Sequence, residues 1–511
     1  MEPSRALDRH GSVGSSVVLA VPNAVVITSV RTRRLWVSRN YSDHASSHIP
    51  LEAFPESHSM QTCLSLVVIS VLVGASCLYA QTDNEPTRGG SEGETVAGQT
   101  GLSAHTSQAQ NSRPFPLRIH GFLLGNYDAR MQDAHPAGKE GGRFLWADER
   151  LRLELSGETA NGKSALLFKG DVFHDAVANR FDGTVREGYL DYSRTWLDLR
   201  LGRQIITWGV GDLLFVNDVF PKDWSAFFSG RPLEYLKLGV DGAKLHVATP
   251  ALNVELVAIP FFQPDNLPSA ERFFLFDPLA GVSNRTLREP ARTAGNTEFA
   301  LRVYRRISES DASLYAYRGY WRQPSFLPDR FPSPTQLQGS YPRLAVYGAS
   351  VQRNVGAGLL SLEGGYYDSQ DDRSGSHPAI PNSQFRTLVG YQRQLGSELT
   401  MGAQYYTESV TDYDTYKTSL PAGFPVQDKA RHLLTVRLTQ FLKYQTWKLS
   451  LLGFYSPSDQ DALLIPEVWH AFTDRLSVAA GANIFAGQHH TTFLGQFDRN
   501  DNLYVVLRFD F

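Results

Sequence analysis

The 511-residue sequence is long enough for several soluble domains or for one large β-barrel. Its hydrophobic content of 42% and mean hydropathy of −0.27 exclude a bundle of transmembrane helices, whereas an aromatic content of 12% suits a barrel with aromatic girdles. The formal net charge of −3 gives no indication of nucleic-acid binding.

The N-terminal part of the chain carries a targeting feature. The only long apolar run, Cys63–Ala80, ends in small residues before a polar segment, as a signal peptide does. A single membrane anchor, or a lipoprotein lipidated at Cys77, is the alternative. The segments before the barrel are expected to be residues 1–59, a gene-start artefact or disordered leader; residues 60–80, a signal peptide cleaved after Ala80; and residues 81–116, a disordered periplasmic tail rich in Gly, Ser, Thr, Gln and Asn.

The distribution of cysteine narrows the chemistry of the mature chain. The two cysteines, Cys63 and Cys77, both lie in the predicted signal peptide, so the mature chain would have none. This excludes a disulfide framework, cysteine zinc sites, CxxCH haem attachment and thiol catalysis. No metal-ligand spacing, phosphate loop or dinucleotide motif stands out, so we expect neither a cofactor nor a metal.

Short strands recur from residue 117 to the end of the chain. In Leu145–Leu155 and again in Asn502–Phe511, apolar and polar residues alternate, which predicts strands with one apolar and one polar face. A soluble β-sandwich can end in such a strand as well, so the evidence for a barrel is how often the pattern recurs upstream. About eighteen strands are predicted, starting near residues 118, 143, 163, 185, 196, 236, 251, 296, 311, 342, 357, 384, 397, 429, 446, 462, 475 and 501.

The connections between these strands alternate in length. Short turns such as 193–195 and 442–445 alternate with longer connections, and 457–461 is the exception. The longer connections are 131–142, 174–184, 208–235, 262–295, 322–341, 369–383, 410–428 and 486–500. An even number of strands with short turns on one side predicts an all-β fold, a single transmembrane antiparallel up-and-down barrel over residues 117–511, with both termini on the periplasmic side.

This organisation resembles Gram-negative outer-membrane porins, and the resemblance covers residues 117–511. The stretch L-R-L-G-R-Q-I-I-T-W-G, Leu199–Gly209, is similar to a strand motif of alginate-export-type and related uncharacterised porins. The resemblance implies export to the outer membrane, contact with its lipid and lipopolysaccharide, and recognition of the terminal Phe511 by the barrel assembly machinery. It does not supply a substrate.

Charged residues on the inward face are expected to line water, because they are too costly to expose to lipid. Both signs occur about equally, so the sequence predicts neither anion nor cation selectivity. The alternative is that many of these charges form cross-strand pairs that stabilise the wall. The candidate pore-lining residues are Arg150, Arg152, Glu154, Lys169, Asp171, Asp198, Arg200, Lys244, Arg302, Arg306, Glu363, Arg437 and Lys448.

The connection Trp208–Tyr235 is too apolar to lie free in solvent. One hypothesis is that it folds into the barrel, as the third loop of general porins does; the other is that it packs on the extracellular rim or at a subunit contact. A second candidate lid is 262–295, with Phe273, Phe274 and Phe276. If the first connection folds inward, the residues near the constriction would be Asp212, Asp218, Lys222, Asp223 and Arg231.

Three functions compete. The first is an outer-membrane channel for diffusion or selective passage of small polar solutes. The second is a conduit for polymer export or secretion. The third is a barrel enzyme, which is disfavoured because no G-x-S-x-G motif is present and because His246, His432 and His470 lie on different predicted strands. The sequence therefore favours a channel without enzymatic activity.

Overall fold

A computed structural model describes residues 116–132, 136, 143–330, 333–421 and 425–511. The predicted leader and signal peptide, and all but the last residue of the predicted tail, lie outside these residues.

Most of the described chain forms β-strands. Eighteen strands form one sheet. In chain order they are β1 Leu117–Arg130, β2 Phe144–Glu158, β3 Ser164–Asp175, β4 Arg180–Arg194, β5 Leu197–Gln204, β6 Val240–Ala248, β7 Asn253–Ile259, β9 Glu298–Ile307, β10 Ser310–Tyr320, β13 Arg343–Val355, β14 Gly358–Ser369, β15 Gln384–Gln394, β16 Leu399–Val410, β17 Ala430–Leu442, β18 Trp447–Ser456, β19 Asp461–Ala471, β20 Leu476–Gly487 and β21 Asn502–Asp510.

The remaining elements are short and lie in the long connections. Strands β8 Arg285–Arg288, β11 Ser325–Pro328 and β12 Leu337–Ser340 form a separate sheet. The helices are α1 Trp224–Phe228 and α2 Tyr413–Ser419, with 3-10 turns at Leu233–Leu236, Ala294–Asn296 and Gly495–Phe497. None of the helices in the described ranges has the length and apolar content needed to cross a bilayer.

The eighteen strands close into a barrel. Each pairs antiparallel with its neighbours, and β21 pairs with β1 from Arg130↔Asn502 to Phe122↔Asp510. Closure leaves none of the eighteen barrel strands with an unpaired edge, which a membrane interior requires. The predicted count is confirmed, and every strand begins within five residues of its predicted start.

One predicted long connection is wrong. The sequence predicts a loop at 174–184, but β3 and β4 continue their pairing to Asp175↔Arg180, and only residues 176–179 connect them. Asp175 lies in this range, faces inward and binds the guanidinium of Arg272. That ion pair satisfies the carboxylate within the barrel, so the strand has no need to end there.

The two faces of the wall differ in polarity as the alternation predicts. On β2, Leu153 is 41% exposed on the outer face, while its neighbour Arg152 is 3% exposed and points inward. Exposed leucines, valines and aromatics recur on the outer face of other strands, for example Leu362 and Leu507. An apolar exterior around a closed barrel is the architecture of transmembrane β-barrels.

The inner face is not polar throughout. Leu388, Leu433, Leu452 and Phe454 point inward from β15, β17 and β18 and belong to a buried apolar cluster. The cluster also contains residues from connections, so the barrel holds a hydrophobic core against part of its wall. A sequence pattern of alternating residues does not reveal this core, because it says nothing about what lies opposite an inward side chain.

Candidate functional site

The connection between β5 and β6, residues 205–239, crosses the interior of the barrel; we call it the inner loop. Near the C-terminal end of the loop, Glu234 pairs with Arg152 on β2 at 2.9 Å. In its N-terminal half, the backbone N–H groups of Val210 and Asn217 donate to Glu363 on β14. Strands β2 and β14 are the second and eleventh strands around an eighteen-stranded circuit. The loop therefore contacts opposite walls and lies within the barrel rather than on its rim.

Glu363 holds the first half of the inner loop. Its carboxylate accepts hydrogen bonds from the backbone N–H groups of Val210 at 2.9 Å, Gly211 at 3.1 Å and Asn217 at 2.9 Å, and from the Asn217 side chain at 2.9 Å. Gly209 has φ +78°, and a Cβ there would lie 2.5 Å from a carboxylate oxygen of Glu363. The loop can approach this strand so closely only with glycine at that position.

Asp212 fastens the loop to the neighbouring strands. Its backbone N–H donates to Gln404 Oε1 at 2.7 Å, and Gln404 Nε2 donates to its carbonyl at 2.8 Å. Its carboxylate pairs with Arg437 at 2.9 Å. Strands β16 and β17 thus share the anchoring of the loop with β14.

The opposite end of the loop is held by a cluster of arginines. Glu234 bridges Arg152 and Arg508, each at 2.9–3.0 Å. The Tyr235 ring lies beneath the guanidinium groups of Arg150 and Arg186, at 4.9 and 4.6 Å from its centroid. Cation–π contacts of this kind are strongest when the partners are desolvated, and Tyr235 is fully buried.

The middle of the loop is apolar and forms the core of the barrel interior. Phe227 packs edge-on against Phe454 at 6.0 Å, and the Phe228 and Phe497 rings lie 4.3 Å apart in a tilted arrangement. Asp223 caps helix α1 by accepting from Ala226 N at 2.8 Å. These contacts cover much of the apolar surface that the sequence shows in this connection, while Phe215 and Trp224 stay partly exposed.

Most of the charges predicted near the constriction stabilise the loop itself. Asp218 pairs with Lys222 at 3.0 Å, and Asp223 lies 4.0 Å from Arg231; all four side chains are buried. Burial lowers the pKa of Lys222 and raises the pKa of Asp223. Of the five predicted residues, only Asp212 is substantially exposed to the lumen.

The charged residues predicted to line the pore lie mostly in ion pairs along the inner wall. Arg150 and Arg152 both bind Asp171, and Lys169 lies 3.6 Å from Glu154 and from Glu187. Other wall ion pairs are Arg200–Asp191 at 2.7 Å and Lys448–Glu467 at 3.0 Å. Asp198 lies within hydrogen-bond distance of His246, at 3.1 Å.

Three predicted residues differ from this pattern. Arg302 lies over the Tyr304 ring at 4.4 Å and donates to Ser313 at 3.2 Å. Arg306 lies at the exposed, short-turn end of β9, and Lys244 is half-buried on β6 opposite Arg200. The role of all the predicted residues as pore-lining groups stays a prediction.

The second candidate lid, 262–295, packs beside the inner loop. Phe273 is fully buried and lies 6.0 Å from Phe497. Phe274 exchanges two hydrogen bonds of 2.8 Å with the Asn500 side chain. This connection and 488–501 therefore close over the same part of the apolar core.

Sequence reasoning missed several residues that organise the site. Tyr235 ends a loop and shows no pattern, and Gln404 is one of many inward polar residues. Gln404 takes part because Asp212, 192 positions away in the chain, folds against it, and Tyr235 takes part because the inner loop places it beneath the arginines. Only the high apolar content of Trp208–Tyr235 signalled that this connection is special.

No protein-family model and no curated protein sequence matches this chain. Among solved structures it is similar to OccK5 (OpdH) of Pseudomonas aeruginosa, with 12% identity, a TM-score of 0.47 and coverage of 77% of this chain and 97% of that one. It is also similar to OccK2 (OpdF) of the same organism, solved in complex with glucuronate, with 11% identity, a TM-score of 0.48 and coverage of 77% of this chain and 97% of that one. A triple mutant of the Rhodopseudomonas blastica porin matches with 11% identity, a TM-score of 0.38 and coverage of 78% of this chain and 100% of that one. Likenesses this low carry no function over to this chain.

Proposed function

We propose that this protein is an outer-membrane channel for small solutes whose bore is narrowed by the inner loop. The observation that carries the proposal is that one connection is fastened to opposite walls of a closed barrel, through Glu363 on β14 and Arg152 on β2. A loop that crosses the bore reduces the open cross-section and sets an upper size for what passes. Porin-sized barrels otherwise leave an aqueous channel.

The charges on the inner wall support a hydrated interior. In the pairs Lys169–Glu154 and Lys448–Glu467, each side chain keeps between 27% and 32% of its surface exposed. Partly exposed ion pairs on the inward face need water around them, because an apolar filling would leave them desolvated. Water therefore occupies the short-turn side of the inner loop.

The same geometry weighs against the two competing functions. A polymer conduit needs a wide continuous bore, and the inner loop obstructs one. For an enzyme, the candidate histidines would have to activate a nucleophile. The His246 ring joins the Asp198 carboxylate to the phenol of Tyr304 rather than to a serine or cysteine. The His432 ring contacts Tyr405, and the His470 ring stacks on Trp447. We therefore propose a channel without enzymatic activity.

The proposed location is the Gram-negative outer membrane, reached through a cleaved signal peptide, with lipid and lipopolysaccharide around the apolar exterior. The assembly machinery is the proposed reader of Phe511. This residue exchanges backbone hydrogen bonds of 3.0 and 3.1 Å with Gly121 and so lies at the seam that closes the barrel.

Reconstitution into liposomes tests the proposal. Purified protein should make liposomes swell in solutions of small sugars and amino acids, with rates that fall steeply as the solute grows. Liposomes treated with heat-unfolded protein are the control. Swelling no faster than in that control would refute a channel, and swelling independent of solute size would refute a constriction.

A further inference from the structure

A cavity of about 590 Å³ lies against the inner loop on its long-loop side. The wall residues that line it come from strand ends next to long connections, such as Leu344 near the start of β13 and Val410 at the end of β16. The connections 321–342 and 488–501 supply further lining residues. Its volume falls within the range of about 300–1,000 Å³ that small-molecule sites occupy. A solute entering from outside would meet this cavity before the inner loop.

The cavity exposes aromatic surface. Phe215 and Trp224 of the inner loop and Phe493 of the facing connection line it and are only partly buried. Trp224 meets Phe215 at 5.9 Å and Phe493 at 6.1 Å, both nearly edge-on. By contrast, Phe228 next to them is fully buried. A further ring fits such a cluster, because aromatic rings favour edge-to-face and offset contacts.

The cationic side chains that line the cavity are already matched. Its described lining includes four lysine and arginine side chains, and each has a carboxylate partner. The pairs are Lys222–Asp218 at 3.0 Å, Arg322–Glu298 at 2.8 Å, Arg386–Glu408 at 3.4 Å and Arg431–Asp459 at 2.6 Å. A solute with a net negative charge would have to compete with an existing carboxylate for each of these cations, whereas a net-neutral solute would not.

One of these pairs adjoins the aromatic surface. The Arg431 guanidinium lies 5.1 Å from the centre of the Phe493 ring and pairs with Asp459. A compact solute with a ring at one end and polar groups at the other can therefore place its ring against the aromatic cluster and its polar groups against the Arg431–Asp459 pair. Arg431 and Asp459 offer a donor and an acceptor side by side.

We propose that this cavity binds net-neutral solutes that combine an apolar ring with a polar end, and that zwitterionic aromatic amino acids belong to this class. The inference rests on the proposed channel function for its role in passage, but the binding site stands on the cavity itself. Solutes of this class are held in front of the constriction before they pass it.

Equilibrium dialysis of the detergent-purified full chain against three probes tests the site. L-phenylalanine has the ring and no net charge, L-serine lacks the ring, and 3-phenylpropanoate keeps the ring but carries a net negative charge. Saturable binding is expected for phenylalanine and should be at least several-fold weaker for the other two. Equal binding of serine would overturn the role of the ring, and equal or tighter binding of 3-phenylpropanoate would overturn the preference for neutral solutes.

Substitutions at Phe493 locate the binding. We expect F493A to weaken phenylalanine binding roughly two- to tenfold, the range that one aromatic contact supplies, and F493Y to restore most of it. The matched control is F181A, which removes a ring that is 68% exposed on the outer face. Unchanged binding in F493A, or an equal loss in F181A, would overturn the site.

Current recordings separate this inference from the proposed function. If the protein conducts ions but phenylalanine neither binds nor blocks the current more than serine, the site is refuted and the channel stands. If phenylalanine binds as expected and the protein does not conduct, the site stands and the channel is refuted.

Discussion

Replacing Glu363 with glutamine tests how the inner loop is held across the barrel. One carboxylate oxygen accepts from the backbone of Val210 and Gly211, and the other accepts from the backbone and side chain of Asn217. A glutamine keeps one oxygen and replaces the other with an amino group. Whichever way the amide turns, two donors lose their acceptor and face another donor.

The magnitude follows from the two unpaired donors. Each buried donor left unsatisfied costs about 1–3 kcal/mol, so E363Q should weaken the anchored segment by about 2–6 kcal/mol. The barrel wall is closed by eighteen paired strands and should remain folded. Since about 1.4 kcal/mol corresponds to a tenfold change, amide exchange in residues 210–217 should accelerate at least roughly tenfold.

Hydrogen–deuterium exchange read by mass spectrometry measures this effect. The matched control is S361A, since Ser361 lies on the same inward face of β14 and binds Gln352 at 2.9 Å rather than the loop. Exchange in residues 210–217 should rise in E363Q and stay at the parental rate in S361A. Parental exchange in E363Q would show that Glu363 is not the anchor, and the reasoning would fail.

Further predictions concern the ends and faces of the chain. Intact-mass analysis of outer-membrane material should give a chain that begins at Gln81, and a chain that retains residues 1–59 would contradict this. The predicted mature chain has no other thiol, so single cysteine substitutions report which face a residue lies on. K169C, at a side chain that is 28% exposed toward the lumen, should react with a water-soluble thiol reagent, whereas L153C on the outer face should not. The reverse pattern would show that the two faces of the wall are assigned the wrong way round. Deleting Phe511 removes two backbone hydrogen bonds to Gly121 and one side chain worth roughly 1.5–3 kcal/mol even if fully buried. Membrane-inserted yield in cells should fall while refolding into detergent stays nearly normal, and equal yield in cells would remove the targeting role.

The strands could be predicted because the membrane imposes one rule on all of them. Every outward residue must suit lipid, so alternations such as Leu151, Leu153 and Leu155 against Arg150 and Arg152 recur from end to end. The same rule predicted that these arginines face inward. It did not predict that they are almost fully buried, because that depends on Glu234 and Tyr235 of the inner loop.

The site could be predicted only in outline. The apolar content of Trp208–Tyr235 predicted that something covers this connection, but folding inward and packing on the rim satisfy that requirement equally in a sequence. Asp218 and Lys222 illustrate the limit, since a charged pair in a loop looks available to solute until its burial is known. The inward leucines of β15 and β17 do not fit the alternating pattern for a related reason. An inward side chain has to be polar only where water reaches it, and the sequence does not show where the inner loop excludes water.

Single-channel conductance of a variant that lacks residues 213–228 tests the central claim most directly. The deletion, bridged by a short Gly-Ser linker, removes helix α1 and the apolar centre of the inner loop while leaving every barrel strand intact. Retained β-sheet circular dichroism and heat-modifiable migration on gels would establish that the variant is folded. Conductance in planar bilayers should then be clearly higher than in the parent, because the loop no longer crosses the bore. Unchanged conductance in a folded variant would contradict a channel narrowed by this loop.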